Sequence, residues 1–130
     1  MSTPSKEDIL KIKIDRSRKT LLEAQKLMEF NFTNAAMSRL YYACFYAATA
    51  LLFKKDIYVK THSGVKKMLG LHYVNTGVLS KEMGKFYAQI FTSRMGSDYD
   101  DFADADSEIV KEYSILANEF ISSAQNILEL

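Results

Sequence analysis

Apolar residues recur at helical spacing along the chain, and the first two segments with this pattern are long. In residues 5–30 one stripe steps by three or four residues, which predicts one face of an α-helix. Its members are Ile14, Ser17, Leu21, Ala24 and Met28, and all except Ser17 are apolar. Ser5 and Asp8 have the spacing of a capping box at its start. Residues 33–55 are apolar almost all round, which predicts a central, buried helix.

Two shorter helices are predicted next. The third covers residues 60–76, with Thr61 or Ser63 as its cap and Gly77 suited to its end. The fourth begins after Ser80, another cap residue, and turns an apolar face inward. The members of that face are Met83, Phe86, Ile90 and Phe91.

The C-terminal segment supplies a fifth helix. Its stripe again steps by three and four residues and consists of Ile109, Tyr113, Leu116, Phe120, Ala124 and Ile127. One proline and five glycines in 130 residues are too few for an all-β protein with many tight turns. We therefore expect an all-α protein, a single domain over residues 1–130, built as a five-helix antiparallel up-and-down bundle.

The single cysteine and the apolar runs limit the class of protein further. Cys44 excludes a disulfide framework or a cysteine-based zinc site, and its apolar surroundings predict a core residue. The longest apolar run, residues 40–53, is too short to span a bilayer, and the N-terminal residues do not resemble a signal peptide. We therefore expect a cytoplasmic protein that has no contact with a membrane.

The charge of the chain is unevenly distributed, although the net charge is only +1. Residues 54–67 contain five lysines and one aspartate, which sums to +4. Residues 98–108 contain six acidic residues and no basic one, which sums to −6. The basic segment could attract phosphate, and the acidic one could dock a basic partner. Both could equally be solvated loops that keep the protein soluble.

Enzyme motifs are scarce in the sequence, but two arginines interrupt apolar faces. No zinc-binding helix motif, phosphate-binding loop or dinucleotide-binding motif is present, so we expect neither metal nor cofactor. Arg39 lies in the most hydrophobic helix, and Arg94 lies near the end of the fourth. One hypothesis pairs an arginine with an acid such as Asp98. The other places both arginines with the neighbouring tyrosines Tyr42, Tyr46 and Tyr99 in a groove that binds phosphate and stacks a base.

Three segments together resemble the HEPN domain family. They are residues 34–52 (NAAMSRLYYACFYAATALL), 60–66 (KTHSGVK) and 94–99 (RMGSDY). The resemblance implies a helical bundle that commonly forms homodimers. It also implies one of three roles, namely a metal-independent ribonuclease, a toxin of a toxin–antitoxin pair, or a non-catalytic partner of a small nucleotidyltransferase.

The ribonucleases of this family have an arginine followed, after four to six residues, by a histidine on the fourth helix. Arg94 matches the arginine, but positions 99 to 101 hold Tyr99, Asp100 and Asp101. The group that would move protons near neutral pH is therefore missing at its family position. The usual pKa of tyrosine, near 10, makes Tyr99 a poor substitute.

Three functional hypotheses follow from these observations. The first is a non-catalytic module that binds a nucleotide, RNA or a partner, with Arg39, Tyr42, Arg94, Asp98 and Tyr99 as ligand-binding residues. The second is a divergent ribonuclease that uses Arg94 with His62 or Tyr99. In this hypothesis His62 acts as a relocated acid or base, whereas its other interpretation is a hydrogen-bonding residue at a helix start. The third is a structural interaction subunit, with the acidic segment 98–108 as its docking surface.

Overall fold

A computed structural model of the chain describes residues 3–95 and 104–130. These residues form five α-helices and one π-helical turn, and they contain no strand. The helices are α1 (Lys6–Glu29), α2 (Thr33–Lys54), α3 (His62–Leu69), α4 (Lys81–Met95) and α5 (Ser107–Leu128). The prediction of an all-α, five-helix bundle is confirmed.

Helix α1 begins with the capping box that its sequence predicts. The Ser5 side chain accepts a hydrogen bond from the backbone of Asp8, and the Asp8 carboxylate accepts one from the backbone of Ser5. The predicted stripe faces the core, and its one polar member, Ser17, donates to the Ala43 carbonyl of α2 at 2.6 Å. A buried hydroxyl is thus satisfied across the helix pair.

Helix α2 lies at the centre of the bundle, between α1 and α5. Its alanines let the neighbouring helices approach closely, since five of them, at 36, 43, 47, 48 and 50, have no exposed surface. Helices α1 and α2 run antiparallel, because Lys6 at the start of α1 donates to the carbonyl of Lys54 at the end of α2. One edge of α2 stays only partly covered, and it carries Tyr42, Phe45, Tyr46, Thr49 and Phe53.

The third predicted helix is shorter and less regular than its sequence pattern indicates. The α-helix begins at His62 and changes after Leu69 into the π-helical turn Gly70–Val74. Thr61 is its cap, because the Thr61 hydroxyl accepts from the backbone of Gly64 at 3.0 Å. Gly77 has φ +79°, a left-handed conformation that favours glycine, and it ends this segment as predicted.

The apolar stripe predicted for α5 is displaced by about one residue at its start. Ile109 is 43% exposed, whereas the next residue, Val110, is buried. Further along, Phe120 and Ala124 are buried as predicted, and Ile121 is buried beside them. The displacement arises because several consecutive apolar residues in α5 allow more than one stripe with helical spacing.

Candidate functional site

His62 is held against α2 by the local structure at the start of α3. The Thr61 cap fixes the turn, and the imidazole ring then packs with its centroid 4.5 Å from Phe45 and 5.8 Å from Tyr42. A Cβ atom at Gly64 would lie 2.4 Å from a Val59 methyl carbon, so this turn requires glycine. His62 is therefore placed by the bundle and remains half-buried.

Tyr41 fixes the orientation of the His62 ring, because its hydroxyl lies 2.8 Å from Nδ1 of His62. Burial raises the pKa of Tyr41 to about 12, so the phenol stays protonated near neutral pH. It can donate to Nδ1 of neutral imidazole or accept from the N–H of imidazolium. In either case Nε2 is the ring nitrogen that remains for a ligand.

Arg94 reaches the same cluster from the last turn of α4. Its Nε donates to the Ser38 hydroxyl at 3.2 Å, and its guanidinium carbon lies 5.6 Å from the centroid of the Tyr42 ring. Its positive charge also lowers the pKa of Tyr41, against the larger effect of burial. Arg94 and His62 thus both contact Tyr42 and both act on Tyr41.

A lysine and a phenylalanine extend the cluster along α3 and α4. The Phe91 ring lies 6.4 Å from that of Tyr41, and Lys66 places its ammonium nitrogen 4.9 Å from the Phe91 centroid. We call this group the His62–Arg94 cluster, and it consists of Ser38, Tyr41, Tyr42, Phe45, His62, Lys66, Phe91 and Arg94. It combines two permanent cations, one imidazole and several aromatic faces.

Comparison with known proteins agrees with this architecture. The family model described as "HEPN domain" matches residues 11–130, nearly the whole chain. The chain belongs to the HEPN domain family. The family that the sequence resembles is thereby confirmed.

Individual relatives support the membership of this HEPN protein. It is 34% identical to a "UPF0332 protein" of Thermotoga maritima over 95% of this chain and 94% of the relative. It is also 36% identical to two proteins of Methanocaldococcus jannaschii, each named "Putative toxin". Those two matches cover 76% and 66% of this chain and 65% and 64% of the relatives. This HEPN protein therefore spans about two thirds of the length of the relatives with toxin names.

The predicted site residues of the HEPN protein fall into three groups. His62, Tyr42 and Arg94 are brought together in the His62–Arg94 cluster. Arg39 is exposed and lines a different groove, which includes Leu22 and Lys26 of α1. Among the described residues, no hydrogen bond, ion pair or cation–π contact joins it to Arg94 or Tyr42.

The remaining predicted residues, Asp98 and Tyr99, lie outside the described residues, as do Asp100 and Asp101. The acidic segment enters the described part of the chain at Asp104, whose carboxylate accepts from the Asn34 amide at 3.1 Å. The side-chain oxygen Oδ1 of Asn34 accepts in turn from the backbone N–H of Ala105 at 2.7 Å. The end of this segment is thus fastened to the first turn of α2.

Cys44 is a core residue of the HEPN protein, as its sequence context predicts. It has no exposed surface, and burial raises the pKa of its thiol, so it lacks the accessible, electropositive setting of a reactive cysteine. In the part of the chain that the structure describes, no group of three potential metal ligands comes together. None of the described helices is long and apolar enough to cross a membrane.

Five residues of the cluster were not predicted as site residues, and they are Ser38, Tyr41, Phe45, Lys66 and Phe91. Spacing along α2 grouped Arg39 with Tyr42, which is three residues further on. Tyr42 lies along the partly covered edge of α2. A detectable signal was present, because Ser38, Tyr41 and Phe45 are spaced by three and four residues and so share one helix face. That face carries two polar groups among aromatic residues, and it is where Arg94 and His62 meet α2.

Proposed function

We propose that this HEPN protein binds single-stranded RNA at the His62–Arg94 cluster. The observation that carries the proposal is that Arg94 and His62, from two different helices, both contact the ring of Tyr42. Single-stranded nucleic acid is commonly bound by cations that hold its phosphates beside aromatic rings that stack its bases. The cluster offers both kinds of group within one surface.

Each side chain has a distinct role in this proposal. The planar guanidinium of Arg94 suits a phosphate, because its N–H groups match two phosphate oxygens. Nε2 of His62 supplies a further hydrogen bond, and Lys66 adds a second positive charge. The exposed part of Tyr42 offers a ring face on which a base can stack.

We also propose that the protein acts in a toxin–antitoxin pair, as an RNA-binding homodimer in the cytoplasm. The names of the two archaeal relatives support a toxin-like role. The partner would be an antitoxin or a small nucleotidyltransferase, as the family resemblance implies. Light scattering of the purified protein tests the dimer, and a monomer at micromolar concentration would contradict it.

Fluorescence anisotropy with a labelled single-stranded RNA tests the binding proposal. We expect Arg94→Ala to weaken binding about tenfold, because a hydrogen-bonded charge on phosphate is lost. Arg39→Ala is the matched control, since it removes the same charge from an exposed position of another groove. Equal affinity of the wild-type protein and Arg94→Ala for RNA would overturn the proposal. An equal loss of affinity in Arg94→Ala and Arg39→Ala would show that RNA binds only through unspecific charge attraction.

A second candidate function is metal-independent ribonuclease activity, favoured by the hydrogen bond between Tyr41 and His62. That bond leaves Nε2 available on a ring that contacts Tyr42, as Arg94 does, although the histidine comes from α3 and not from the family position on α4. In cleavage, the ribose 2′-oxygen would lose its proton and attack phosphorus, and the bond to the 5′-oxygen would break as that oxygen gains a proton. His62 would move one of these protons, and Arg94 would stabilise the charge on phosphate.

Incubation of labelled RNA with the purified protein, with and without a chelator, tests this second function. We expect cleavage that persists with the chelator and is lost in both His62→Gln and Arg94→Ala. His72→Gln is the matched control, because the structure places His72 outside the cluster, in the π-helical turn. The absence of cleavage by the wild-type protein would overturn the enzyme function and leave the binding function untouched.

A further inference from the structure

A second surface with the chemistry of nucleotide binding lies beside the cluster, in a cavity of about 360 Å³. It is open to solvent and lined by helices α1 and α2, by the connection between α2 and α3, and by Val65 of α3. Its twelve lining residues are all in the described part of the chain, and they include three cations and no carboxylate. The cations are Lys13, Arg16 and Lys60.

Aromatic rings form much of the cavity wall, and two of the cations lie over them. The guanidinium carbon of Arg16 is 4.3 Å from the Tyr46 centroid, and the ammonium nitrogen of Lys13 is 5.6 Å from that of Phe53. Tyr58 lies edge-on to Phe53 at 6.0 Å and is 73% exposed. A large exposed tyrosine at the edge of a cationic cavity is well placed to stack on a ligand.

The cavity is continuous with the His62–Arg94 cluster. Phe45 belongs to both, because it lines the cavity and its ring lies 4.5 Å from His62. The rings of Tyr42 and Tyr46 are 6.2 Å apart along the partly covered edge of α2. Aromatic faces therefore extend from Tyr42, next to Arg94, to Phe53 in the cavity.

The length of this aromatic edge indicates the size of the ligand. Tyr42 and Phe53 are separated by eleven residues of one helix, which corresponds to about 16 Å at a rise of about 1.5 Å per residue. Stacked nucleotides advance about 3.4 Å per strand residue, so about five nucleotides would cover the distance. This lies within the roughly 4–16 nucleotides that single-stranded binding sites of other folds occupy.

We propose that the cavity is a second subsite, which takes a nucleobase and a phosphate of the same RNA strand that Arg94 holds. The proposal rests on the RNA-binding function proposed above and defines its ligand as a strand of at least about five nucleotides. The base would stack on Tyr58 or Tyr46, and Arg16 and Lys60 would contact phosphate. A free nucleotide has the same chemistry, and the experiment below separates it from a strand.

Anisotropy with labelled oligoribonucleotides of three and eight residues, at low salt, tests the subsite. We expect Arg16→Gln and Tyr58→Ala each to weaken binding of the octamer about tenfold, the size of one stacking or phosphate contact. Binding of the trimer, which fits at Arg94 alone, should not change. Both substituted residues are exposed, so the fold should persist. Lys19→Gln, one turn further along α1 and outside the cavity, is the control.

The outcomes separate this inference from the proposed function. If Arg94→Ala loses affinity but both cavity variants bind the octamer like wild type, the second subsite is overturned and RNA binding at Arg94 stands. If the cavity variants lose affinity for the octamer but Arg94→Ala does not, the RNA strand does not extend from the cavity to the His62–Arg94 cluster. The proposed function then fails. If a labelled mononucleotide binds as tightly as the octamer and its binding depends on Arg16, the ligand of the cavity is a free nucleotide. The proposal of an RNA strand is then overturned.

Discussion

The hydroxyl of Tyr41 lies 2.8 Å from Nδ1 of His62, and this contact joins the core of the bundle to its candidate site. Tyr41 has no exposed surface, whereas His62 is half-buried at the first position of α3. A core residue on α2 thus sets the orientation of a surface residue that is 21 positions away in sequence. The function of His62 should therefore be sensitive to a substitution that a ligand never contacts.

Tyr41→Phe should release His62 without removing it. The ring of phenylalanine fills the same space, and the lost hydrogen bond should lower the free energy of unfolding by about 1 kcal/mol. We expect the Nδ1 resonance of His62 to shift in long-range proton–nitrogen spectra, because this nitrogen loses its partner. The resonances of His72 serve as the internal control. An unchanged His62 spectrum would show that the hydrogen bond does not form in solution.

Burial raises the pKa of three core tyrosines, Tyr41, Tyr73 and Tyr87, and should make the protein sensitive to alkali. Burial raises the pKa of Tyr41 to about 12 and that of Tyr87 well above its usual value, whereas both ionise near 10 in the unfolded chain. Their contribution to stability is thus complete below pH 10 and is lost as the pH rises towards the folded-state values. We expect the free energy of unfolding, measured with urea, to fall between pH 10 and 11.5.

The double variant Tyr41→Phe/Tyr87→Phe separates this effect from the titration of lysines. The free energy of unfolding of this variant should fall less steeply as the pH rises, because neither phenylalanine ring can ionise. The Tyr87 hydroxyl is buried without a hydrogen-bond partner among the described residues, so its loss should cost little at neutral pH. Tyr58→Phe, at an exposed position, should behave like wild type. A double variant with the wild-type slope would contradict the assignment.

The architecture could be predicted from the sequence because the helices are long, regular and strongly capped. The capping box at Ser5 and the caps at Thr61 and Ser80 are local signals, and all three are present in the structure. The π-helical turn was not predicted, because the apolar spacing of α3 is also that of an ordinary helix. The buried stripe at the start of α5 differs from the predicted one for a related reason, since the residues after Ile109 permit two apolar stripes.

The site was harder to predict because its contacts join separate helices. Spacing along α2 grouped Arg39 with Tyr42, but Arg39 lies on the side of α2 that faces α1. The contact of Arg94 with Tyr42 depends on how α4 crosses α2, which spacing within one helix does not determine. The hydrogen bond of His62 depends likewise on the path of the connection that precedes α3.

Arg18 is a structural residue that no pattern in the sequence distinguished. Its guanidinium joins α1 to α5, with donors 2.5 Å from the Asn118 side chain, 2.9 Å from Ser122 and 2.9 Å from Gln125. We expect Arg18→Ala to lower the free energy of unfolding by about 1–3 kcal/mol, because several charge-assisted hydrogen bonds are lost together. Chemical denaturation provides the measurement.

Two further substitutions test why Arg18 matters. Arg18→Lys should recover only part of the stability, because an ammonium group cannot reproduce the planar fork of donors. Lys19→Ala changes the next residue, which is exposed, and should alter stability by less than about 0.5 kcal/mol. If Arg18→Ala were no less stable than Lys19→Ala, the hydrogen bonds between α1 and α5 would not contribute.

Gly64 offers a test of how the first turn of α3 controls the site. A Cβ atom there would lie 2.4 Å from the Val59 side chain and 2.7 Å from the Thr61 hydroxyl that caps the helix. We expect Gly64→Ala to lower stability by about 1–3 kcal/mol, as overpacking does. It should also weaken RNA binding, because the displaced turn carries His62 with it.

A second substitution distinguishes this steric cause from a general effect of alanine. Val59→Ala removes the nearest methyl group, so the double variant Gly64→Ala/Val59→Ala should be more stable than the sum of the two single changes allows. Gly70→Ala is the matched control, since a Cβ atom there meets nothing within 4 Å. Thermal unfolding of the five proteins, wild type included, measures the coupling. Strictly additive changes would show that Gly64 is not required by contact with Val59.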